Sequence, residues 1–158
     1  MPNEKPWYET IVLPALLRHA RSTYGKAMRH ALSQIGCDDI PRNGMWVIGG
    51  LAQGADGVPL GQLVKDLNTS KQAAGQLVDT LVLRGYLERD VDPEDRRKLT
   101  VTLTARGQAA AAAQMAAREK IDAELVARVG QRHFDHTRAT LAALVAIGQA
   151  DAGEDDES

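Results

Sequence analysis

Apolar positions recur at helical spacing from the start of the chain. Leu17, Tyr24, Met28 and Leu32 lie seven and four residues apart, which sets one apolar stripe along a helix. That helix is predicted to start near Leu13, because Pro14 is tolerated in a first turn, and to break at Gly36 and Asp38-Asp39. A second helix is expected from Met45 to Gln53, carrying Trp46 and Leu51, and a turn-rich link follows from Gly54 to Pro59. Leu60 to Leu67 is a short helical run anchored by Leu63, Val64 and Leu67. Asn68-Thr69-Ser70 separates it from Lys71 to Arg84, where Leu77, Val78 and Leu81 face inward. A short helix, a polar break ending in a capping residue and a longer helix together form a helix-turn-helix pattern.

The period then changes. Leu99, Val101 and Leu103 alternate with Thr100, Thr102 and Thr104, as in a half-buried strand, and Tyr86 to Val91 can supply its partner. Asp92-Pro93 initiates the reversal between them, since Pro93 fixes its own φ and biases Asp92 away from helix. Arg96, Arg97 and Lys98 place three consecutive cations near the tip of this hairpin. Thr104 is a good N-cap for a further helix that runs through the Ala-rich stretch to about Val129, where Gly130 stops it. A last helix from Gln131 carries Phe134, Leu141, Leu144 and Val145.

Composition narrows the possibilities. With 44% apolar but only 4% aromatic residues, the core must be mostly Ala, Leu and Val. The net charge of −2 conceals an asymmetry: Asp151 to Ser158 holds five acids and no base, and the preceding 150 residues sum to +3. A basic local face is therefore compatible with the overall charge. The single cysteine, Cys37, excludes an internal disulfide and a multi-cysteine zinc site. No segment approaches the ~20 apolar residues needed to span a membrane, so a cytoplasmic protein without membrane attachment is expected. No nucleophile–base arrangement and no phosphate-binding Gly loop is evident, so neither an enzyme nor a cofactor is expected.

The chemistry that remains suits nucleic acid. Ser70 caps the longer helix, and Lys71 and Gln72 occupy its first turn, the part of such a helix that approaches base edges and phosphates. Gln72 and Gln76 are four apart and share a face, and Gln can pair bidentately with adenine. The cationic hairpin would grip the backbone while the helix reads bases. His133 and His136 lie three apart on a helix, but two ligands without a third do not make a metal site, so no metal is expected.

The stretch from Leu60 to Gly107 resembles the MarR family, the multiple-antibiotic-resistance type regulators. The family's wing signature matches Asp95-Arg96-Arg97 through Val101-Thr102-Leu103-Thr104, and Leu83-Arg84-Gly85-Tyr86-Leu87-Glu88-Arg89 is similar to its exit from recognition helix to wing. The chain departs from the family at Gly75 and Gln76, where Thr and Arg are common. The resemblance implies a mainly α (α+β) winged helix-turn-helix with a small β-hairpin wing. Residues 1–37 and 108–150 would form a helical dimerisation region, 38–107 the winged DNA-binding domain and 151–158 an acidic, disordered tail. It implies a homodimer on pseudo-palindromic double-stranded DNA, with Arg97 inserted in the minor groove and braced by Asp95. It also implies a small-molecule effector pocket, for which His19, Tyr24 and Trp46 are the candidates. Some family members sense oxidants through a cysteine in the first helix. Cys37 follows that helix and neighbours Asp38 and Asp39, so an inert small residue is expected. The alternative function is a winged-helix interaction or scaffold module without DNA binding.

Overall fold

The computed structural model describes residues 5–53, 58, 59, 65 and 69–155. The chain divides into two compact units, 1–118 and 119–158.

In the first unit a 3-10 turn at Trp7–Thr10 precedes α1, Leu13–Gln34, with Pro14 in its first turn. The stripe along α1 is graded: Leu32 is buried, whereas Leu17, Tyr24 and Met28 are half-buried. Past the helix end the Cys37 N–H donates to the Leu32 carbonyl at 2.9 Å, and the Gly36 N–H to that of Ser33. This closure folds the chain back and seats Cys37 in the core with Leu32, which gives the thiol a packing role. Helix α2, Gly44–Leu51, buries Val47, Ile48 and Leu51. Trp46 points the other way and is 51% exposed.

Helix α3, Lys71–Leu83, starts at the expected cap: the Ser70 hydroxyl accepts from the Ala73 N–H at 3.1 Å. Ala74, Val78 and Leu81 follow at spacings of four and three and are fully buried, with Leu77 partly packed beside them. Ser70→Ala should cost about 1 kcal/mol by orphaning that N–H. A fall in the urea midpoint at unchanged slope is the expected readout. The short helix expected over Leu60 to Leu67 lies outside the described residues, apart from Lys65, which is helical.

Helix α3 ends because Gly85 takes φ 78°, a conformation other residues rarely adopt. The turn is closed by Tyr86 N–H to Leu81 C=O at 2.9 Å. The chain then enters a three-stranded antiparallel sheet of β1 (Val58–Pro59), β2 (Leu87–Val91) and β3 (Leu99–Leu103), in the order β1-β3-β2. β2 and β3 form the expected hairpin, with Leu87 opposite Leu103 and Val91 opposite Leu99. The end of the supposed link is instead a strand, with Val58 opposite Val101 and Pro59 opposite Thr100. Proline is acceptable there because β1 is an edge. Burial on β3 peaks at Val101: Leu103, at the base, is partly buried, and Leu99, next to the tip, is 42% exposed because the hairpin has left the core behind.

Helix α4, Ala105–Val129, is capped by Thr104, whose hydroxyl accepts from the Gly107 N–H at 3.1 Å. Gly107, Ala110, Ala111 and Gln114 are buried, a face of small residues apart from Gln114 that lets the helix lie close to the sheet and α2. One core cluster therefore joins Leu32 and Cys37 to Ala110 and Ala111. The first compact unit runs to residue 118, and these alanines complete the core that β3 and α2 begin.

The second unit holds the rest of α4 and helix α5, Gln131–Asp155, separated at Gly130 as expected. No described residue of α5 is buried, and Leu141, Leu144, Val145 and Ile147 are exposed. Helix α5 runs as far as Asp155. Residues 156–158 lie outside the described residues.

Candidate nucleic-acid interface

Two elements of the first unit present the sequence-predicted polar residues outward. On α3, Ser70, Lys71, Gln72 and Gln76 are exposed, while the opposite face is anchored by Ala74, Val78 and Leu81. On the hairpin, Asp95, Arg96, Arg97 and Lys98 are all exposed at the tip.

The tip is shaped by its acids. The Asp92 carboxylate accepts from the Glu94 N–H at 2.8 Å, and the Asp95 carboxylate from the Arg97 N–H at 3.0 Å. Backbone bonds from Lys98 N–H to Asp95 C=O and from Asp92 N–H to Lys98 C=O close the loop. Asp95 thus acts on the backbone that carries Arg97, and the described ion pairs do not include one between their side chains. An acid that organises the turn leaves the guanidinium free to meet an external anion.

The helix and the wing are joined. Arg89, on β2, forms an ion pair with Asp79 on α3. Both groups are substantially exposed, so the pair adds little stability, but it ties the strand to the helix.

Behind the interface lies a cluster that sequence reasoning missed. Arg106, in the first turn of α4, stacks its guanidinium 4.3 Å from the Tyr86 ring centroid. It donates to the Arg84 carbonyl at 2.5 Å and pairs with Asp39 at 3.1 Å. The Tyr86 hydroxyl donates to the same Asp39 carboxylate oxygen, and Arg84 donates to the Asp39 backbone carbonyl. One signal was available: a cation in a helix's first turn opposes the macrodipole and calls for a partner. The partner, 67 residues away, was not visible.

The hydrogen bond from Tyr86 holds the Asp39 carboxyl below its ordinary 3.8, with the Arg106 cation adding to it against a smaller opposing effect of burial. Burial, and then the carboxylate acceptor, push the Tyr86 hydroxyl well above its usual range, so it remains a donor. Because the folded Asp39 value lies below the unfolded one, its stabilisation is present above about pH 4 and is lost as pH falls through the folded value. Urea midpoints should therefore drop in acid, and Asp39→Asn should lower the midpoint at pH 7 while flattening that drop. A variant with an undiminished acid slope would assign the effect to other carboxylates.

The proposed effector residues are not among those lining the cavity described below. His19 is exposed on α1, Tyr24 is half-buried and Trp46 faces outward. A cavity of about 390 Å³ lies elsewhere, between the end of α2, β3 and α4, lined in part by Leu51, Val101, Leu103, Ala111, Met115 and Arg118. Among the described residues no cluster of His, Cys, Asp and Glu could hold a metal, and no helix is long and apolar enough to cross a membrane. His133 and His136 are exposed on α5.

Comparison with known proteins places this geometry. The MarR family model matches residues 38–98, from the turn before α2 to the wing tip. No curated protein sequence matches the chain. Among solved structures, the Staphylococcus aureus MepR–DNA complex is 20% identical with a TM-score of 0.69, the match covering 86% of this chain and 98% of that one. MepR bound to ethidium bromide is also 20% identical, with a TM-score of 0.58 and coverages of 87% and 97%. MepR described as a transcription regulator of the S. aureus multidrug efflux pump MepA is 19% identical, with a TM-score of 0.62 and coverages of 86% and 98%. The sequence match, the capped helix α3 and the cationic hairpin coincide over one stretch of chain: residues 38–98 are similar to the MarR family, and the fold is that of the MepR structures.

Proposed function

We infer that this chain is a DNA-binding transcription regulator of the MarR type that works as a homodimer. The observation that carries the reading is the free N-terminal turn of α3 on the same unit as a free cationic wing tip. Lys71, Gln72 and Gln76 would enter the major groove, with Ser70 holding the first turn. Arg96, Arg97 and Lys98 would follow the backbone, and Arg97 would meet the adjacent minor groove. The likeness to MepR supports this assignment, since one of those structures is a DNA complex.

Two copies would bind a pseudo-palindrome with half-sites about one helical turn apart. Support for the dimer comes from apolar residues left exposed at both ends of the chain. Trp7, Tyr8, Val12 and Leu13 precede or open α1, and Leu141, Leu144 and Val145 form a stripe on α5. A second copy would cover them. Domain boundaries change how this is tested: a fragment of residues 38–107 lacks Leu32, Cys37, Ala110 and Ala111, so it would lose part of its core as well as its partner. Sedimentation of the full chain is the appropriate measurement, and a monomer at micromolar concentration would overturn the dimer.

An effector would release DNA by favouring a separation of the two recognition helices that does not match the grooves. The 390 Å³ cavity has the size of a small-molecule site and touches both the wing strand and α4. MepR bound to ethidium bromide supports an effector of this kind. The primary test is electrophoretic retardation of random duplex DNA at two salt concentrations. Binding that weakens steeply with salt is expected. No retardation at low salt would leave the chain as an interaction module.

A further inference from the structure

The cluster around Arg106 gathers three segments that are distant in sequence. They are the turn between α1 and α2 (Gly36, Asp39), the end of α3 with the entry to the wing (Arg84, Tyr86), and the first turn of α4. Arg106 spans all three through one planar guanidinium. One nitrogen donates to the Arg84 carbonyl, the other to the Asp39 carboxylate and, at 3.4 Å, to the Gly36 carbonyl, and the plane lies over Tyr86. None of these groups is on the DNA-facing turn of α3; they hold its opposite end.

We propose that Arg106 is a positioning residue for sequence recognition, fixing the angle at which α3 presents Gln72 and Gln76. The inference rests on the DNA-binding reading. A helix of 13 residues is about 20 Å long, so a tilt of about 5° at its C-terminal anchor displaces its first turn by about 1.7 Å. Hydrogen bonds to base edges do not survive such an error, because they weaken steeply with distance and angle. Attraction between a long cationic side chain and a phosphate falls off slowly and follows the backbone. Loosening the clamp should therefore remove sequence preference while leaving non-specific binding intact. Lysine cannot substitute, since a point charge makes neither the fork nor the stack.

The experiment uses the full chain with Arg106→Lys, which keeps the charge, and Tyr86→Phe, which keeps the ring and removes the hydroxyl bound to Asp39. Affinity is measured for a selected duplex and a scrambled one across a salt series, alongside amide hydrogen exchange. For Arg106→Lys, affinity for the selected duplex should fall on the order of tenfold, that for the scrambled duplex should stay within about twofold, and the salt slope should not change. Exchange should accelerate at Gly85, Tyr86 and Thr104, whose amides close the α3 terminus and the wing entry. Tyr86→Phe should shift the same readouts less. Equal losses on both duplexes would reduce Arg106 to a purely structural role, and a shallower salt slope would make it a direct phosphate contact; either overturns the proposal. If the unaltered protein retards neither duplex, the DNA-binding reading fails instead, and unchanged exchange in Arg106→Lys overturns the clamp independently of DNA.

Discussion

Arg97→Ala should weaken binding to every duplex and flatten its salt dependence. Arg97 sits at the exposed tip, its backbone N–H held by Asp95 and its guanidinium outside the described ion pairs. A contact of this kind neutralises phosphate and reads no unique base pattern. In the proposed homodimer, removing one from each subunit should lower the magnitude of the log K against log salt slope by about two. At about 1.5 kcal/mol for each charge-assisted contact, the affinity loss is about 3 kcal/mol, on the order of a hundredfold. Gln76→Ala should change preference among sequences and keep the slope. Asp95→Ala should fall between them, because it loosens the turn without removing charge. Affinities for a selected and a scrambled site at three salt concentrations separate these outcomes. If Arg97→Ala changes neither affinity nor slope, the wing is not a DNA contact.

Gly107→Ala should be the most damaging small substitution in the fold. A Cβ at this position would lie 2.1 Å from the Tyr86 carbonyl oxygen and 3.0 Å from Leu103 Cδ2. The first obstacle is backbone, so no side-chain rotation relieves it. Either α4 moves off the sheet, uncovering Ala110 and Ala111, or the wing entry moves and disturbs the Thr104 N–H bond to that same carbonyl. The expected cost is about 3 kcal/mol, the upper end for overpacking, and the melting temperature should fall by roughly 10 °C. Gly75→Ala, on α3 with open space around it, should be neutral or slightly stabilising through helix propensity. Equal melting temperatures for the two variants would show that α4 does not pack this closely.

Much of the fold was legible locally. The Ser70 and Thr104 caps, the Gly130 termination and the alternation along β3 each depend on residues within a few positions of one another. Other features were not, because their causes are distant in sequence. β1 exists only because β3 offers it an edge, and two residues carry no periodicity from which to read a strand. Trp46 turns outward because α2 already buries Val47, Ile48 and Leu51, a choice between faces that an almost wholly apolar helix does not display.

The order of elements and the outward chemistry of α3 and the wing were therefore determined by the sequence itself, since caps, turns and short periods are written in neighbouring residues. Tertiary structure decided where the winged unit ends, with α4 contributing Ala110 and Ala111 to a core begun by Leu32 and Cys37. It also decided how α3 is held. Arg106, Tyr86 and Asp39 meet across dozens of intervening residues, and hydrogen-bond geometry and desolvation act on that proximity in space rather than on spacing along the chain.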